Sequence, residues 1–155
     1  MTDTEHTIRI EEEPVGSADA SALLEELSRT LQAITGSGGQ TSFDPEDMAD
    51  LRSVFLLARD GEGAALGCGA LRPLSQDVAE IKRVYARTKG RGVGGAIVAA
   101  LERRGAQLGY RAVRLETRLV NATAVAFYER LGYRRIDNYG KYAGRADAVC
   151  FEKLL

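Results

Sequence analysis

A glycine-rich segment between a strand pattern and a helical pattern constrains this chain more than any other feature. Residues 89–95 read KGRGVGG, and DVAEIKRVYAR precedes them as a strand pattern. Behind them Val93, Ile97, Leu101 and Leu108 recur at helical spacing. A glycine turn that opens a helix presents free backbone amides at the positive end of the helix dipole. The sequence therefore predicts an anion-binding turn, most simply one for phosphate.

Two familiar phosphate-binding motifs fit this turn poorly. No glycine is followed by Lys and then Ser or Thr, which excludes a Walker A loop. Gly90, Gly92 and Gly95 do match the dinucleotide spacing, and Glu116 stands where a ribose-binding acid would lie. However, an antiparallel pattern precedes the turn, and only ~60 residues follow it, too few for a doubly wound domain. A purely structural role would leave the basic residues between the glycines unexplained.

The order of elements predicts an α/β chain of the α+β type, with a mixed sheet in one domain over residues 1–155. The first part predicts a strand at 7–13, an amphipathic helix in SADASALLEELSRTLQAI and a short helix in DPEDM. Three antiparallel strands follow and end with EIKRVYAR, and a turn at Asp60–Gly63 joins the first two of them. The second part reads as the glycine turn, a helix and the strand RAVRLETRLV, which together form a parallel crossover. A helix with Ala124, Phe127 and Leu131 inward and two final strands, YRRIDNYG and DAVCFEKLL, complete the chain.

Composition argues against several functional classes. The net charge is −1 with no basic stripe, so no nucleic-acid partner is expected. No apolar run reaches the ~20 residues of a membrane span, and the first residues do not resemble a signal peptide, so we expect a cytoplasmic protein with no membrane partner. The single histidine, His6, and two isolated cysteines, Cys68 and Cys150, indicate neither a metal site nor a histidine-based triad.

Two signatures in this sequence resemble the GNAT superfamily of acyl-CoA dependent N-acyltransferases. Lys89, Gly92 and Gly94 occupy the fixed positions of its R/Q-x-x-G-x-G/A turn, with Lys in place of Arg or Gln. Downstream, NATAVAFYERLGY is similar to the family's N-x-x-A-x-x-F/L-Y-x-x-x-G-F/Y helix. The resemblance covers about 51–155. It implies a GNAT-like fold, with acetyl-CoA as the acyl donor and no metal.

The resemblance also implies which residues hold the donor. The turn, with its lysine and arginine, would bind the pyrophosphate. A backbone amide near the end of the preceding strand would donate a hydrogen bond to the thioester oxygen. Asn121 would cap its helix or form a hydrogen bond with the pantetheine arm. The implied set is Val84, Tyr85, Ala86, Lys89, Arg91, Gly92, Val93, Gly94, Gly95, Asn121 and Tyr128. The run-in to the turn lacks the family's proline and is about two residues shorter. Either the strand ends early or the turn is tighter, which leaves open which amide faces the thioester.

The chemistry of acyl transfer requires an acid for the thiolate and a base for the ammonium. By resemblance, Tyr128 is the acid, since a phenol can donate a proton to a thiolate. Glu80 is our first candidate for the base because it shares a strand face with Lys82, near the expected oxyanion donor. Glu116 and water alone remain alternatives. Cys68 has no nearby histidine to activate it, so direct transfer is preferred to a cysteine-bound intermediate.

These inferences combine into a functional prediction. We expect an acetyl-CoA dependent N-acetyltransferase that acts on the amine of a small molecule or amino acid. The amine would enter on the side of Gly36–Ser42 and the segment NYGKYAGRAD. In that segment Tyr139, Tyr142 and Arg145 would bind a carboxylate or an aromatic group of the substrate. An equally good interpretation of Arg145 is a charged residue in a hairpin loop with no role in binding. The alternatives are a non-catalytic acyl-CoA sensing module and a protein N-terminal acetyltransferase. A homodimer stays open.

Overall fold

A computed structural model describes residues 7–39 and 43–155, and within them one seven-stranded sheet with the order β1-β2-β3-β4-β5-β7-β6. The strands are β1 Arg9–Glu12, β2 Val54–Arg59, β3 Ala65–Pro73, β4 Val78–Ala86, β5 Ala112–Arg118, β6 Arg134–Ile136 and β7 Ala148–Leu154. The helices are α1 Ala18–Thr35, α2 Val93–Gln107 and α3 Ala122–Arg130, with short 3-10 turns at Pro45–Ala49 and Gly140–Tyr142. The pair β4 and β5 is parallel, and the other pairs between described strands are antiparallel. This confirms the predicted mixed sheet.

The helices cover opposite faces of the sheet. Ser17 caps α1 by accepting a hydrogen bond from the Ala20 amide, and α1 buries Leu23 and Leu27 on one face. On the other face α2 buries Ile97, close to the backbone of β3. A Cβ at Gly69 would lie 2.6 Å from Cγ2 of Ile97, so this close approach requires glycine. Among the described residues no helix is both long and apolar enough to cross a membrane.

Some predicted boundaries and faces differ in detail. The strand predicted at 7–13 is shorter, and the strand predicted from YRRIDNYG ends at Ile136. In α3 the most buried residues are Val125 and Tyr128, while the predicted inward residues (Ala124, Phe127 and Leu131) are only partly buried against the core. The helix therefore turns its tyrosine toward the sheet. His6 and residues 40–42 of the predicted Gly36–Ser42 loop lie outside the described residues.

The strands β4 and β5 separate after a short paired stretch, and this separation positions the candidate site. They pair only from Val78–Glu80 to Ala112–Arg114. Beyond that point β5 continues to pair with β7 as far as Arg118, while β4 runs on without β5. The sheet is therefore split between its two central strands.

Candidate active site

A cavity of about 240 Å³ occupies the split between β4 and β5. The end of α1 and the residues after it form its apolar side with Leu27, Leu31 and Ile34, while α3 and the segment after β6 close it elsewhere. Its other principal lining residues are Thr30, Thr35, Ser37, Gly39, Ile81, Lys82, Arg83, Val84, Leu115, Glu116, Thr117, Arg118, Asn121, Ala124, Tyr128, Tyr142 and Arg145. The cavity thus combines one apolar wall with several charged groups.

The glycine turn has the backbone geometry of an anion site, beside the cavity and not in its lining. Gly92 is the N-cap of α2 at φ 73°, in the left-handed region that favours glycine. The first hydrogen bond within the helix runs from the Ala96 amide to the Gly92 carbonyl, and the glycine cap has no side chain to bond the earlier amides. The amides of Val93, Gly94 and Gly95 accordingly form the open N-terminus of the helix.

The run-in to this turn contains a bulge in β4. Lys82 pairs with Ala70 and Tyr85 pairs with Cys68, so Gly69 alone lies opposite two residues of β4. Those two are Arg83, at φ 57°, and Val84. The strand continues to Ala86, and the Arg87 amide donates to the Leu66 carbonyl at 2.8 Å. The strand therefore does not end early ahead of the glycine turn, and it contains an extra residue at the bulge.

The three strand residues predicted to contact the donor lie on both faces of the sheet, with Val84 and Ala86 on one face and Tyr85 on the other. Val84 lines the cavity and packs against the core that contains α2. Tyr85 points to the α1 face, where its hydroxyl donates to Glu26 Oε1 at 3.2 Å. Ala86 packs against the same core as Val84. Of their side chains, that of Val84 reaches the cavity.

Tyr128 lies at the cavity with a buried ring. Its side chain packs against Phe127 and Tyr133, with ring centroids 4.9 and 5.6 Å away, and only 9% of the residue is exposed. Burial raises the pKa of Tyr128 above that of a free phenol, so its hydroxyl is protonated at neutral pH. The neighbouring lining residue Asn121 caps α3 by accepting from the Ala124 amide at 3.2 Å. Both predicted residues of this helix thus reach the cavity.

Glu80 is buried in a network of ionic and polar groups outside the cavity lining. The residue is 1% exposed, and its Oε1 accepts a hydrogen bond from Arg72 Nε at 2.9 Å. The hydroxyl of Tyr139 donates to its Oε2 at 2.5 Å, and Lys82 Nζ lies 3.6 Å from Oε1. Both oxygens therefore have strong partners. The geometry is that of a structural carboxylate, since neither oxygen is directed at the cavity without a partner.

Glu116 is the carboxylate that lines the cavity. Its Oε2 is buried with no hydrogen-bond partner among the described residues, and it forms a long ion pair with Arg118, whose Nε lies 3.9 Å away. Burial raises the pKa of Glu116, against an opposing effect of Arg118 and Lys82. Sequence reasoning ranked this residue second to Glu80, because the point at which β4 leaves β5 has no signal in the sequence.

One side of the cavity contains three cations, of which the sequence had assigned a possible ligand contact to Arg145 alone. Lys82 Nζ donates to the Tyr142 hydroxyl at 2.9 Å, and burial lowers the pKa of Lys82. Arg118 and Arg145 both contact the carboxylate of Asp147, at 2.8 and 3.3 Å. Lys82, Arg118, Tyr142 and Arg145 all line the cavity.

Two other residues considered from the sequence lie elsewhere. Tyr139 stacks edge-on against Tyr142, with centroids 5.5 Å apart, but does not line the cavity. Cys68 is fully buried, and burial raises the pKa of its thiol to about 12. A thiol with that pKa is almost entirely protonated at neutral pH, so it is a poor nucleophile.

Comparisons with known proteins agree with this architecture. A family model described as the acetyltransferase (GNAT) family matches residues 20–133. A relative from Azospirillum brasilense, named IAA acetyltransferase, is 29% identical over 136 residues, which cover 86% of this chain and 88% of the relative. A Schizosaccharomyces pombe protein, named an uncharacterized N-acetyltransferase, is 34% identical over 89 residues, or 56% of this chain and 55% of that protein.

Solved structures share the fold over nearly the whole chain. A crystal structure from Klebsiella pneumoniae, assigned as an acyl-CoA N-acyltransferase, superposes with a TM-score of 0.81 at 27% identity, covering 97% of this chain and 99% of that one. A GNAT family acetyltransferase from Elizabethkingia anophelis, solved with acetyl-CoA bound, superposes with a TM-score of 0.71 at 16% identity, covering 99% and 100%. The predicted fold class and family are both confirmed. The family model spans most of the chain, and the chain belongs to the acetyltransferase (GNAT) family.

Proposed function

We propose that this acetyltransferase transfers an acetyl group from acetyl-CoA directly to the amine of a small molecule or amino acid. The observation that carries the proposal is the cavity at the strand split. It brings together a bulged strand, a buried phenol (Tyr128) and a carboxylate with an oxygen that accepts no hydrogen bond from the described residues (Glu116). These are the three kinds of group that acyl transfer to an amine uses.

The glycine turn is the proposed anchor for the donor. The amides of 91–95 lie at the N-terminus of α2, where the helix dipole favours an anion. Lys89 and Arg91 add positive charge beside them. Gly94 lies against α3, since a Cβ there would be 3.2 Å from Cζ of Phe127, so the turn and α3 are close. This closeness supports a donor that extends from the turn past Asn121 into the split.

The bulge in β4 is the proposed source of the oxyanion donor. Beyond Glu80 the strand has no β5 partner, so backbone groups on that edge are available to a ligand between the strands. Val84 is the bulge residue whose side chain lines the cavity, and its amide or that of Tyr85 is the proposed donor to the thioester oxygen. Such a donor stabilises the negative charge that develops on the oxygen in the transition state.

Glu116 replaces Glu80 as the proposed base. An oxygen that accepts no hydrogen bond from the described residues, together with a raised pKa, suits a group that accepts a proton from a substrate ammonium, directly or through water. The two oxygens of Glu80 already accept from Arg72 and Tyr139. In the proposed step Glu116 takes a proton from the substrate ammonium, and the resulting neutral amine attacks the thioester carbon. The carbon–sulfur bond then breaks, and the second proton of the nitrogen passes to water.

Tyr128 is the proposed acid for the departing sulfur. Because burial raises its pKa, the phenol is protonated when negative charge develops on the departing sulfur, and it can donate its proton to that sulfur. Donation of that proton leaves free coenzyme A, and solvent restores the phenol. On the acceptor side, Arg145 and Tyr142 in the cavity lining are the proposed contacts for a carboxylate or aromatic group of the amine.

The test is to incubate the purified protein with acetyl-CoA and a panel of amines and to follow the release of free thiol. Tyr128→Phe is the discriminating variant. We expect it to lower kcat about 100-fold without weakening coenzyme A binding, because it removes only the acid. Tight coenzyme A binding with no turnover of any amine would overturn the enzyme proposal and favour an acyl-CoA sensing module.

A further inference from the structure

Arg83 has a backbone conformation that its residue type disfavours. Among the described residues it is the one non-glycine with a positive φ, at 57°. The left-handed region brings a Cβ close to the following carbonyl, so it is normally occupied by glycine, or occasionally by asparagine or aspartate. A larger residue persists there only where its surroundings compensate for the strain.

The side chain of Arg83 supplies such compensation. Its guanidinium donates to the Leu24 carbonyl at 3.1 Å and to Ser28 Oγ at 2.5 Å, both on α1. It also donates to the Gly38 carbonyl at 3.0 Å, in the segment that follows α1. One side chain therefore joins β4 to the middle of α1 and to the residues beyond its end.

The bulge and these contacts depend on each other. Ile81 faces the α2 side of the sheet and Lys82 faces the α1 side, so regular alternation would turn residue 83 toward α2. There its guanidinium would meet the apolar core around Ile97 and Leu101. The bulge places Arg83 on the α1 side next to Lys82, and Val84 then returns to the other side.

The hydrogen bonds of Arg83 join the two sides of the cavity. Leu27 and Leu31 of α1 and Gly39 after it line one side, which we call the α1 wall, and Arg83 and Val84 of β4 line the other. The contacts of Arg83 on α1, at Leu24 and Ser28, flank Leu27, and its contact at Gly38 precedes Gly39. A shift of this side chain would therefore move the acceptor wall and the bulged backbone together.

From this geometry we infer that Arg83 is a positioning residue: its guanidinium holds the α1 wall and the strained bulge of β4 in the relative placement that acyl transfer requires. The inference rests on the proposed function, in which a bulge amide binds the thioester oxygen. It assigns Arg83 no contact with substrate. Its effect on the reaction passes through the backbone at Val84 and through the wall formed by α1.

The test compares two arginines that both join the β4 end of the sheet to α1. Arg83→Gly removes the guanidinium contacts but leaves a residue that tolerates positive φ. Arg87→Ala is the matched control, because Arg87 pairs with Glu26 of α1 at 2.6 Å but lies beyond the bulge. Circular dichroism and thermal melting check that each variant folds. Kinetics then give kcat and the acceptor KM, and calorimetry gives the acetyl-CoA Kd.

We expect Arg83→Gly to lower kcat about 10-fold to 100-fold, because small misplacements of reacting groups have effects of that size. Its acetyl-CoA Kd should change less than about 3-fold, since the phosphate anchor is at another position. Arg87→Ala should leave kcat within about 3-fold of wild type, as an exposed ion pair contributes little. Arg83→Gly that folds and keeps kcat within about 3-fold would overturn the inference.

Two further measurements keep the outcome decisive. If Arg83→Gly does not fold, Arg83→Lys and Ser28→Ala remove part of the linkage, and both should lower kcat in the same direction by smaller amounts. If the wild-type protein turns over no amine, the proposed function fails, and hydrogen exchange then tests the linkage itself. Exchange should speed up at both 36–39 and 81–86 in Arg83→Gly and at neither in Arg87→Ala. Unchanged exchange would refute the linkage.

Discussion

The two halves of β4 differ in their surroundings although they belong to one strand. From Val78 to Glu80 the strand has β3 on one side and β5 on the other, and its polar side chain at Glu80 is fully partnered. From Lys82 to Ala86 it has only β3, contains the bulge, and borders the cavity. The paired half contributes to the core, and the unpaired half contributes side chains to the lining of the cavity.

Two glutamates on these neighbouring strands show what the difference implies. Glu80 lies where the strands pair, and Arg72 and Tyr139 satisfy its carboxylate. Glu116 lies where they have separated, and its Oε2 is buried without a hydrogen-bond partner among the described residues, 3.9 Å from Arg118 Nε. A buried carboxylate oxygen that accepts no hydrogen bond carries a desolvation cost, which the charge of Arg118 only partly offsets, and such perturbed carboxylates are candidates for a functional role.

The largest expected effect is the loss of activity in Glu116→Gln. If Glu116 is the base, its replacement by a neutral amide of similar shape should lower kcat/KM about 100-fold near neutral pH. The measurement is the pH dependence of thiol release. In the wild type the rate should fall as the pH decreases through the raised pKa of Glu116, because the protonated carboxyl cannot accept a proton.

The Glu116→Gln variant should lack this fall in rate at low pH, which is the acidic limb of the pH profile. A Glu116→Gln protein that retains both the wild-type rate and its acidic limb would assign the base to another group or to water. Its fold can be checked by circular dichroism, and coenzyme A binding should persist because the glycine turn is unchanged.

Glu80→Gln should have the opposite profile, a loss of stability with little loss of rate. The substitution removes the charge that Arg72 and Lys82 face in a buried network. We expect the free energy of unfolding to decrease by about 2 kcal/mol, within the range for a disrupted buried charge-assisted hydrogen bond. Denaturant unfolding measures this effect. A large loss of kcat with unchanged stability would return Glu80 to the role first predicted for it.

The sequence predicted the architecture well because its signals are local. Helix caps, strand alternation and glycine turns depend on nearby residues, and α1 and α2 lie where those signals place them. The placement of Asn121 and Tyr128 at one cavity followed from a resemblance that covers a contiguous helix. Such features need no knowledge of distant contacts.

The cavity itself could not be predicted in this way. Where β4 leaves β5 depends on non-local pairing, and alternation alone put Glu80 and Lys82 on one face without showing which would reach a cavity. The bulge at Arg83 could not be predicted from the sequence either, because an arginine does not indicate a positive φ. A glycine there would have been a signal; the arginine instead depends on hydrogen bonds to α1, which is distant in sequence.

A smaller effect is expected at the glycine turn, where Gly92→Ala tests the donor anchor. At φ 73° an alanine is strained by about 1–2 kcal/mol, and relief of the strain would rotate the amides at the start of α2. The acetyl-CoA Kd should rise about 10-fold, measured by calorimetry. Gly63→Ala is the control, since Gly63 has φ 88° with open space around it in the β2–β3 turn. It should reduce stability similarly and leave the Kd unchanged; equal Kd values in both variants would contradict the anchor.

The smallest expected effect is on the pH dependence of stability, and it tests the surroundings of Glu116 without an assay of turnover. The folded-state pKa of Glu116 is raised above its unfolded value by burial, so the folded protein binds its proton more tightly. Wild type should therefore gain stability relative to Glu116→Gln as the pH falls through the raised pKa, with the gain complete below the unfolded value of about 4.3. Thermal melting of both proteins across this window measures the difference. A wild type that instead loses stability relative to Glu116→Gln would mean that the carboxylate is favourably paired in the folded state, which removes the physical reason to treat the split half of the sheet as the site of proton transfer.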